Sequence, residues 1–419
     1  MVSKNVSSCA GSATLPFQYV PVEEVERIEK YQLGGYHPIM IGDSLQSRYQ
    51  VAHKLGYGTY STTWLCQDSQ SAEFVAIKVG TAESSAREVH VLDYLSKCTP
   101  LDHPGRAMIP SVQDNFVLHG PNGNHPCYVT AIARCTRLLI SQLVLAIDYI
   151  HSQGVVHGDL HIGNVFLRLP ADFNQLSIEQ LYEQFGSPAF EPVVRLDGQL
   201  LPSGIPSKVV PPIWLGKASE LFTTSESRAL LGDLGEAVQP SAEYRYSSHA
   251  PLSFLPPEAR FEPELGLSFP ADIWTLACCI WIKLGQRPLF EDTLATPDDI
   301  TAEQVDTLGE LPRQWQQKWE ARHEYYDESG LPNQGRQVSS WGERLENHIQ
   351  LQRLKALVPV FDSEEKAAAM NMLRLMLCFE PKKRWTAHDI LKCEWMEKWA
   401  LPDYEESRLN DRGGYADSL

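Results

Sequence analysis

Between Tyr49 and Val79 short apolar runs alternate with turn residues: "YQVAHKLGYG", "YSTTWLCQD" and "EFVAIKV" are each ended by Gly, Asp or Ser. Runs of this length, rich in β-branched and aromatic residues, predict an antiparallel meander. The period then changes. Ser84 to Lys97 predicts a helix, and further strand-like text runs through "PCYVT". Over Ile132–Ser152, Leu139, Leu143, Ala146, Ile147 and Ile150 recur at helical spacing. The pattern predicts an α+β, bilobal chain: a small β-rich lobe over 47–131, then a larger helical lobe over 132–398. Residues 1–46 read as a polar leader and 399–419 as a tail. Two stretches interrupt the helical lobe. Residues 168–228 are rich in Pro, Gly and Ser around "SIEQLYEQF", and residues 291–350 are polar with scattered Trp. Both read as insertions, because compact domains rarely carry long structureless loops without a function.

Composition narrows the class. With 419 residues and 43% of them hydrophobic, the chain can bury a sizeable core. Its longest uncharged apolar run, Ile273–Ile282, is ten residues, against the ~20 that span a bilayer. No membrane association is expected. The opening "MVSKNVSSCAGSATLPF" has neither the apolar stretch of a secretory signal nor the Arg-rich face of a transit peptide, so a cytoplasmic or nuclear protein is expected; separately, a monomer is expected. Nine cysteines without a CxxC pair fall mostly in apolar stretches, the usage of small buried hydrophobes in a reducing compartment. A net charge of −17 disfavours direct nucleic-acid binding, which wants a basic surface. It suits basic peptide partners, and equally suits plain solubility.

Five places carry candidate chemistry. "LGYGTYSTTW" sets Gly56, Gly58 and Ser61 in a turn between two strands, where glycines let backbone N–H groups approach phosphates; a plain hairpin has the same look. Lys78 stands in the apolar strand "FVAIKV", where it is either an edge residue facing water or a buried cation with a partner. Glu88 shares a helical stripe with Val91, Leu92 and Leu95, so its carboxylate faces inward and needs a cation. In "VVHGDLHIGNVFL" Asp159 can accept the proton of a substrate hydroxyl and Asn164 can hold a metal ion. Asp233, in "ALLGDLGEA", suits a second ligand bridging Mg²⁺ to nucleotide phosphates. His157 and His161 would suit zinc only on a helix with a third ligand, and the sequence supplies neither.

Taken in order, Gly56/Gly58, Lys78, Glu88, Asp159, Asn164 and Asp233 resemble the eukaryotic protein-kinase signature set. "LPPEAR", "ADIWTLAC" and "PKKRWTAHDIL" extend the likeness. The nearer resemblance is to SR-protein kinases and their fungal relatives, through "GGYHPIMIGDSLQSRYQVAHKLGYGTYSTTWL", Asp-Leu-Gly at 233–235 and the long insert before it. It covers roughly residues 33 to 398. The resemblance implies a kinase fold and an ATP- and Mg²⁺-dependent Ser/Thr kinase acting on basic, Arg/Ser-rich splicing proteins. It also implies that Leu55, Gly56, Gly58, Ser61 and Lys78 hold the nucleotide, that Lys78 pairs with Glu88, and that Asn164 and Asp233 hold the metal. Glu258 is then expected to pair with Arg384, and Asp272 to brace the catalytic loop.

Three departures keep other readings open. Gly158 stands where many kinases carry Arg, and His161 where they usually carry Lys. His-Gly-Asp-Leu-His-x-x-Asn is also how small-molecule kinases write this loop, although those enzymes lack the Pro-Glu, Asp-Ile-Trp and Arg384 constellation. The stretch from Val129 to Arg134 is short for a crossing between lobes, which would suit a pseudokinase, or an enzyme with poor adenine contacts.

Overall fold

The computed structural model describes residues 18–99, 102–130, 133–134, 140–169, 171–215, 229–246 and 249–405. They fall into two compact units, the first from Met1–Ala86, Val112–Ile132 and Ala171–Leu215, the second from Arg87–Ser111, Ala133–Pro170 and Gly216–Leu419.

The meander of the first unit is a six-stranded sheet of β1 (Ser44–Leu45), β2 (Tyr49–Tyr57), β3 (Ser61–Asp68), β4 (Phe74–Gly80), β5 (Asp114–Gly120) and β6 (Gly123–Thr130). Their order is β1-β2-β3-β4-β6-β5, with every neighbouring pair antiparallel. Alternation sends Val51, Trp64, Cys66, Val75, Ile77, Val79, Cys127 and Val129 to one buried cluster with Ile39 and Leu45.

The polar leader proves shorter than expected. Tyr19, Ile28, Tyr31 and Tyr36 are buried with Val193, Ile205 and Val209 of the first insertion, and Val22 and Val25 pack against them. Tyr19, Val22, Val25, Ile28 and Tyr31 recur every third residue, a period that is neither a strand's two nor a helix's 3.6, and so escapes both templates. The segment is anchored by an ion pair between Lys54 of β2 and Glu26, both side chains 1% exposed. Tyr31 donates its hydroxyl proton to the same carboxylate. Residues 171–215 of the first insertion also fold with this sheet. The helix Ile178–Phe185 starts from a Ser177/Gln180 capping box, its Tyr182 hydroxyl donates to the Ala52 carbonyl at 2.8 Å, and Phe173 packs edge-on against Phe74. Residues 216–228 of that insertion lie outside the described residues.

The second unit holds α1 (Arg87–Lys97), α2 (Ile140–Ser152), a three-stranded sheet of β7 (Ala133–Arg134), β8 (Val165–Arg168) and β9 (Ala229–Leu231), and α3 (Phe269–Gly285). Helical text was expected from Ile132, but Ala133 and Arg134 instead pair with Arg168 and Leu167. The rest of the short crossing, 131–132 and 135–139, lies outside the described residues. The apolar run of α3 is buried almost all round, Trp274 and Trp281 included. The second insertion was read as polar, yet it carries the helix Pro297–Leu308 and buries Trp315, Trp319 and Trp341. Its scattered tryptophans are its core. Among the described residues no helix is long and apolar enough to cross a membrane, and the described cysteines are free, with Cys66, Cys127, Cys278 and Cys279 buried.

Candidate active site

The expected residues are divided between the two units, and each half is built by its own elements. In the first unit the turn between β2 and β3 carries Gly56 and Gly58. Pairing continues through Gly56↔Thr63 and Tyr57↔Thr62, and the Gly58 N–H donates to the Ser61 carbonyl at 2.8 Å. A Cβ added at Gly56 or Gly58 would meet nothing within 4 Å. The glycines therefore leave an open backbone surface, which is what close approach of a phosphate requires. Leu55 is half-buried beside Gly56, at a register shift between Lys54 and Gly56. Lys78 is half-buried in β4, between Thr63 of β3 and Tyr128 of β6. Since β4 is an interior strand, the reading of Lys78 as an edge residue is removed.

In the second unit Glu88 is buried in the first turn of α1, on the same stripe as Leu92 and Leu95. Its Oε1 accepts the backbone N–H of Leu234 at 3.1 Å. The helix carboxylate thus touches the residue next to Asp233. Lys78 lies in the other unit.

The strands β8 and β9 pair in the register Val165↔Leu231 to Leu167↔Ala229, and one step beyond, the Gly232 N–H donates to the Asn164 carbonyl at 2.9 Å. This ribbon brings Asn164 and Asp233 to one end. Asp233 takes a left-handed conformation, φ 58°, which Asp tolerates better than most side chains. Asn164 donates through Nδ2 to the Asp159 carbonyl at 2.9 Å, and that bond turns its amide oxygen the other way. The His157 ring spans from the Gly232 carbonyl, 3.1 Å from Nε2, to the Asp159 N–H, which donates to Nδ1 at 3.3 Å. His161 accepts the Gly163 N–H at 3.1 Å. Both imidazoles are occupied in shaping the loop, and among the described residues no group of three or more His, Cys, Asp and Glu is placed to hold a metal.

The loop is braced from below. Asp272 in the first turn of α3 accepts the N–H groups of His157 at 2.7 Å and Gly158 at 3.0 Å, and meets the His151 ring at 2.9 Å. Gly158 has φ 79°, and a Cβ there would lie 2.8 Å from Leu267 and 3.1 Å from the Glu236 carbonyl. The departure from Arg is therefore built into this backbone. Glu258 and Arg384 form a two-pronged buried ion pair at 2.5 and 2.6 Å, as the resemblance implied.

The Asp159 carboxylate keeps one oxygen without a partner among the described residues: Oδ1 is buried and has no hydrogen bond, and Oδ2 stands 4.0 Å from His161 Nε2. Burial pushes its pKa above the ordinary carboxylate value, opposed by His161 and His157 and reinforced by Asp233 and Glu236. That repulsion between carboxylates, with the outward amide oxygen of Asn164, makes a hard oxygen donor set of low coordination. It fits Mg²⁺, which keeps much of its shell for water and phosphate oxygens.

The chain has relatives among known proteins. No family model matches it. A serine/threonine protein kinase of Aspergillus fumigatus is 27% identical over 405 residues, covering 90% of this chain and 91% of the relative. Human SRSF protein kinase 3 is 32% identical over 192 residues, 40% of this chain and 34% of the relative. A crystallised kinase domain superposes with a TM-score of 0.56 at 16% identity, covering 86% of this chain and 98% of that domain. The β-rich and helical units are the two lobes of a protein-kinase fold, and fold and relatives together make the chain a protein kinase. Several SR-protein kinases and fungal serine/threonine kinases are its homologues over most of its length.

Some participants were not foreseen. His157 as the link between Asp159 and Gly232 carries no sequence signal beyond its place in the loop. Glu26 and Lys54, and Tyr36, whose hydroxyl donates to the Gly58 carbonyl, sit in text read as a polar leader and an ordinary strand. The pair Gly34-Gly35 before an aromatic residue was the available signal.

Proposed function

We propose that the chain transfers the γ-phosphoryl group of ATP to Ser or Thr hydroxyls of basic, Arg/Ser-rich proteins. The observation that carries this reading is the meeting of Asp159, Asn164 and Asp233 at the end of the β8–β9 ribbon, with one Asp159 oxygen buried and unpartnered. In this reading Leu55, Gly56, Gly58, Ser61 and Lys78 hold the nucleotide, and Glu88 steadies the residue next to Asp233 through the Leu234 N–H. Asn164 and Asp233 hold Mg²⁺, which when bound neutralises charge on the phosphates. Asp159 orients the incoming hydroxyl and accepts its proton, so catalysis is mostly positioning and charge placement. A formal charge of −17 and the SR-protein kinase relatives support an Arg-rich substrate. Nuclear or cytoplasmic basic proteins are the proposed partners.

The roles at the ribbon are tested by Asp233→Ala. Transfer should fall by about 100-fold or more, the scale of losing one charge-stabilising group, and the residual rate should lose its dependence on Mg²⁺. Retained activity with unchanged Mg²⁺ dependence would remove Asp233 from the metal site.

A further inference from the structure

The glycine turn is held from outside the sheet. The Tyr36 hydroxyl donates to the Gly58 carbonyl at 2.6 Å and lies 3.3 Å from the Thr59 carbonyl. Lys30 Nζ reaches the same Thr59 carbonyl at 3.4 Å. Two successive carbonyls of the turn therefore face residues 30–36. In a trans peptide the N–H points opposite to the preceding C=O, so the N–H groups of Thr59 and Tyr60 are turned to the other side. Two adjacent amides facing one way are what an anion cradle needs.

Tyr36 is itself fixed on several sides. Gly34 at φ 87° and Gly35 form the turn before it, and a Cβ at Gly35 would lie 1.8 Å from the Lys30 carbonyl, so only glycine lets the backbone close. The Tyr36 N–H donates to that carbonyl at 3.0 Å, and its own carbonyl accepts from Asn122 Nδ2 at 2.7 Å. The same Asn122 amide reaches the Gly204 carbonyl at 2.7 Å. The ring packs edge-on against Tyr31, whose hydroxyl is tied to Glu26 and through it to Lys54. Burial keeps the Tyr36 hydroxyl protonated and a donor throughout the neutral range.

We propose that Tyr36 is a positioning residue for phosphate binding: by holding the Gly58 and Thr59 carbonyls it presents the Thr59 and Tyr60 amides to the nucleotide phosphates. The inference rests on the kinase reading of the glycine turn. A loop of this openness otherwise samples many orientations, so the hydroxyl exchanges flexibility for a preformed cradle.

The test is Tyr36→Phe in the full chain, with ATP and adenosine affinities measured side by side by calorimetry and the steady-state constants measured for ATP. Loss of one such bond should weaken ATP roughly 2- to 10-fold, raise KM for ATP to match and leave kcat within about 2-fold. Adenosine, which has no phosphate, should bind as in the wild type. Equal ATP affinity in variant and wild type would overturn the role of Tyr36 and leave the kinase reading standing. Parallel loss of adenosine would also overturn it, by showing a general loosening of the lobe. Failure of the wild type to bind ATP would overturn both.

Discussion

At the scale of the residue, Asp159 is held in tension between its surroundings and its task. Burial is the largest cause of its raised pKa, with His161 and His157 opposing the rise and Asp233 and Glu236 adding to it. Burial also lowers the His161 pKa, against the pull of Asp159. A carboxyl whose folded pKa lies above its unfolded value favours the protonated native state. Its ionisation costs stability as pH rises from the ordinary carboxylate range through the folded pKa, and the cost is complete above that pKa. The proposed reaction needs the ionised form. Asp159→Asn should therefore lower kcat by about 100- to 10,000-fold while leaving the melting temperature at or above that of the wild type. The acid limb of the wild-type kcat profile should also lie above the ordinary Asp range. A variant that melts markedly lower would show that the charged group is a structural partner and not a strained base.

At the scale of the element, the segment from Asp233 to Glu258 is tied down without a phosphate. Arg87 at the start of α1 donates to the Ala237 carbonyl at 2.9 and 2.8 Å and meets Glu243 at 2.7 Å. Arg245 pairs with Glu236 at 2.6 Å, and its carbonyl accepts the Leu267 N–H at 2.8 Å. These contacts hold the described residues of the segment without an added phosphate, and Gly158 leaves no room for a side chain in the loop. Phosphatase treatment should leave the rate unchanged. Arg87→Met should lower kcat several-fold more than Glu243→Gln, because the half-exposed ion pair contributes only about 0–1 kcal/mol and the carbonyl bonds remain in the second variant. A large loss on dephosphorylation would contradict this account. Elements with a regular period were legible in the sequence: the meander, the inward stripe of α1 carrying Glu88, and the apolar α3 with Asp272 at its head. The residues beyond Tyr19 were not, because a three-residue apolar period has no regular element behind it except the short 3-10 turn Ile28–Lys30. The second insertion misled for another reason: its few large tryptophans bury as much surface as many small apolar residues. Asp159, Asn164 and Asp233 were readable as candidates, yet their meeting depends on the register of β8 and β9, which no local spacing encodes.

At the scale of the whole molecule, charge is the property on which the proposed substrate choice rests. A formal charge of −17 attracts an Arg-rich peptide over distances that salt shortens, since the Debye length falls from about 30 Å at 0.01 M to about 8 Å at 0.15 M ionic strength. The first expression of that attraction is in association, so KM for peptide should rise with salt while kcat changes little. The most direct measurement is radiolabel transfer from ATP to an Arg/Ser peptide, a neutral Ser peptide and an aminoglycoside, run in parallel at low and high salt. The account predicts strong labelling of the Arg/Ser peptide that weakens at high salt, weak labelling of the neutral peptide and none of the aminoglycoside. Equal labelling of the two peptides at low salt would contradict the proposed substrate class, and label on the aminoglycoside alone, or on nothing, would contradict the proposed reaction.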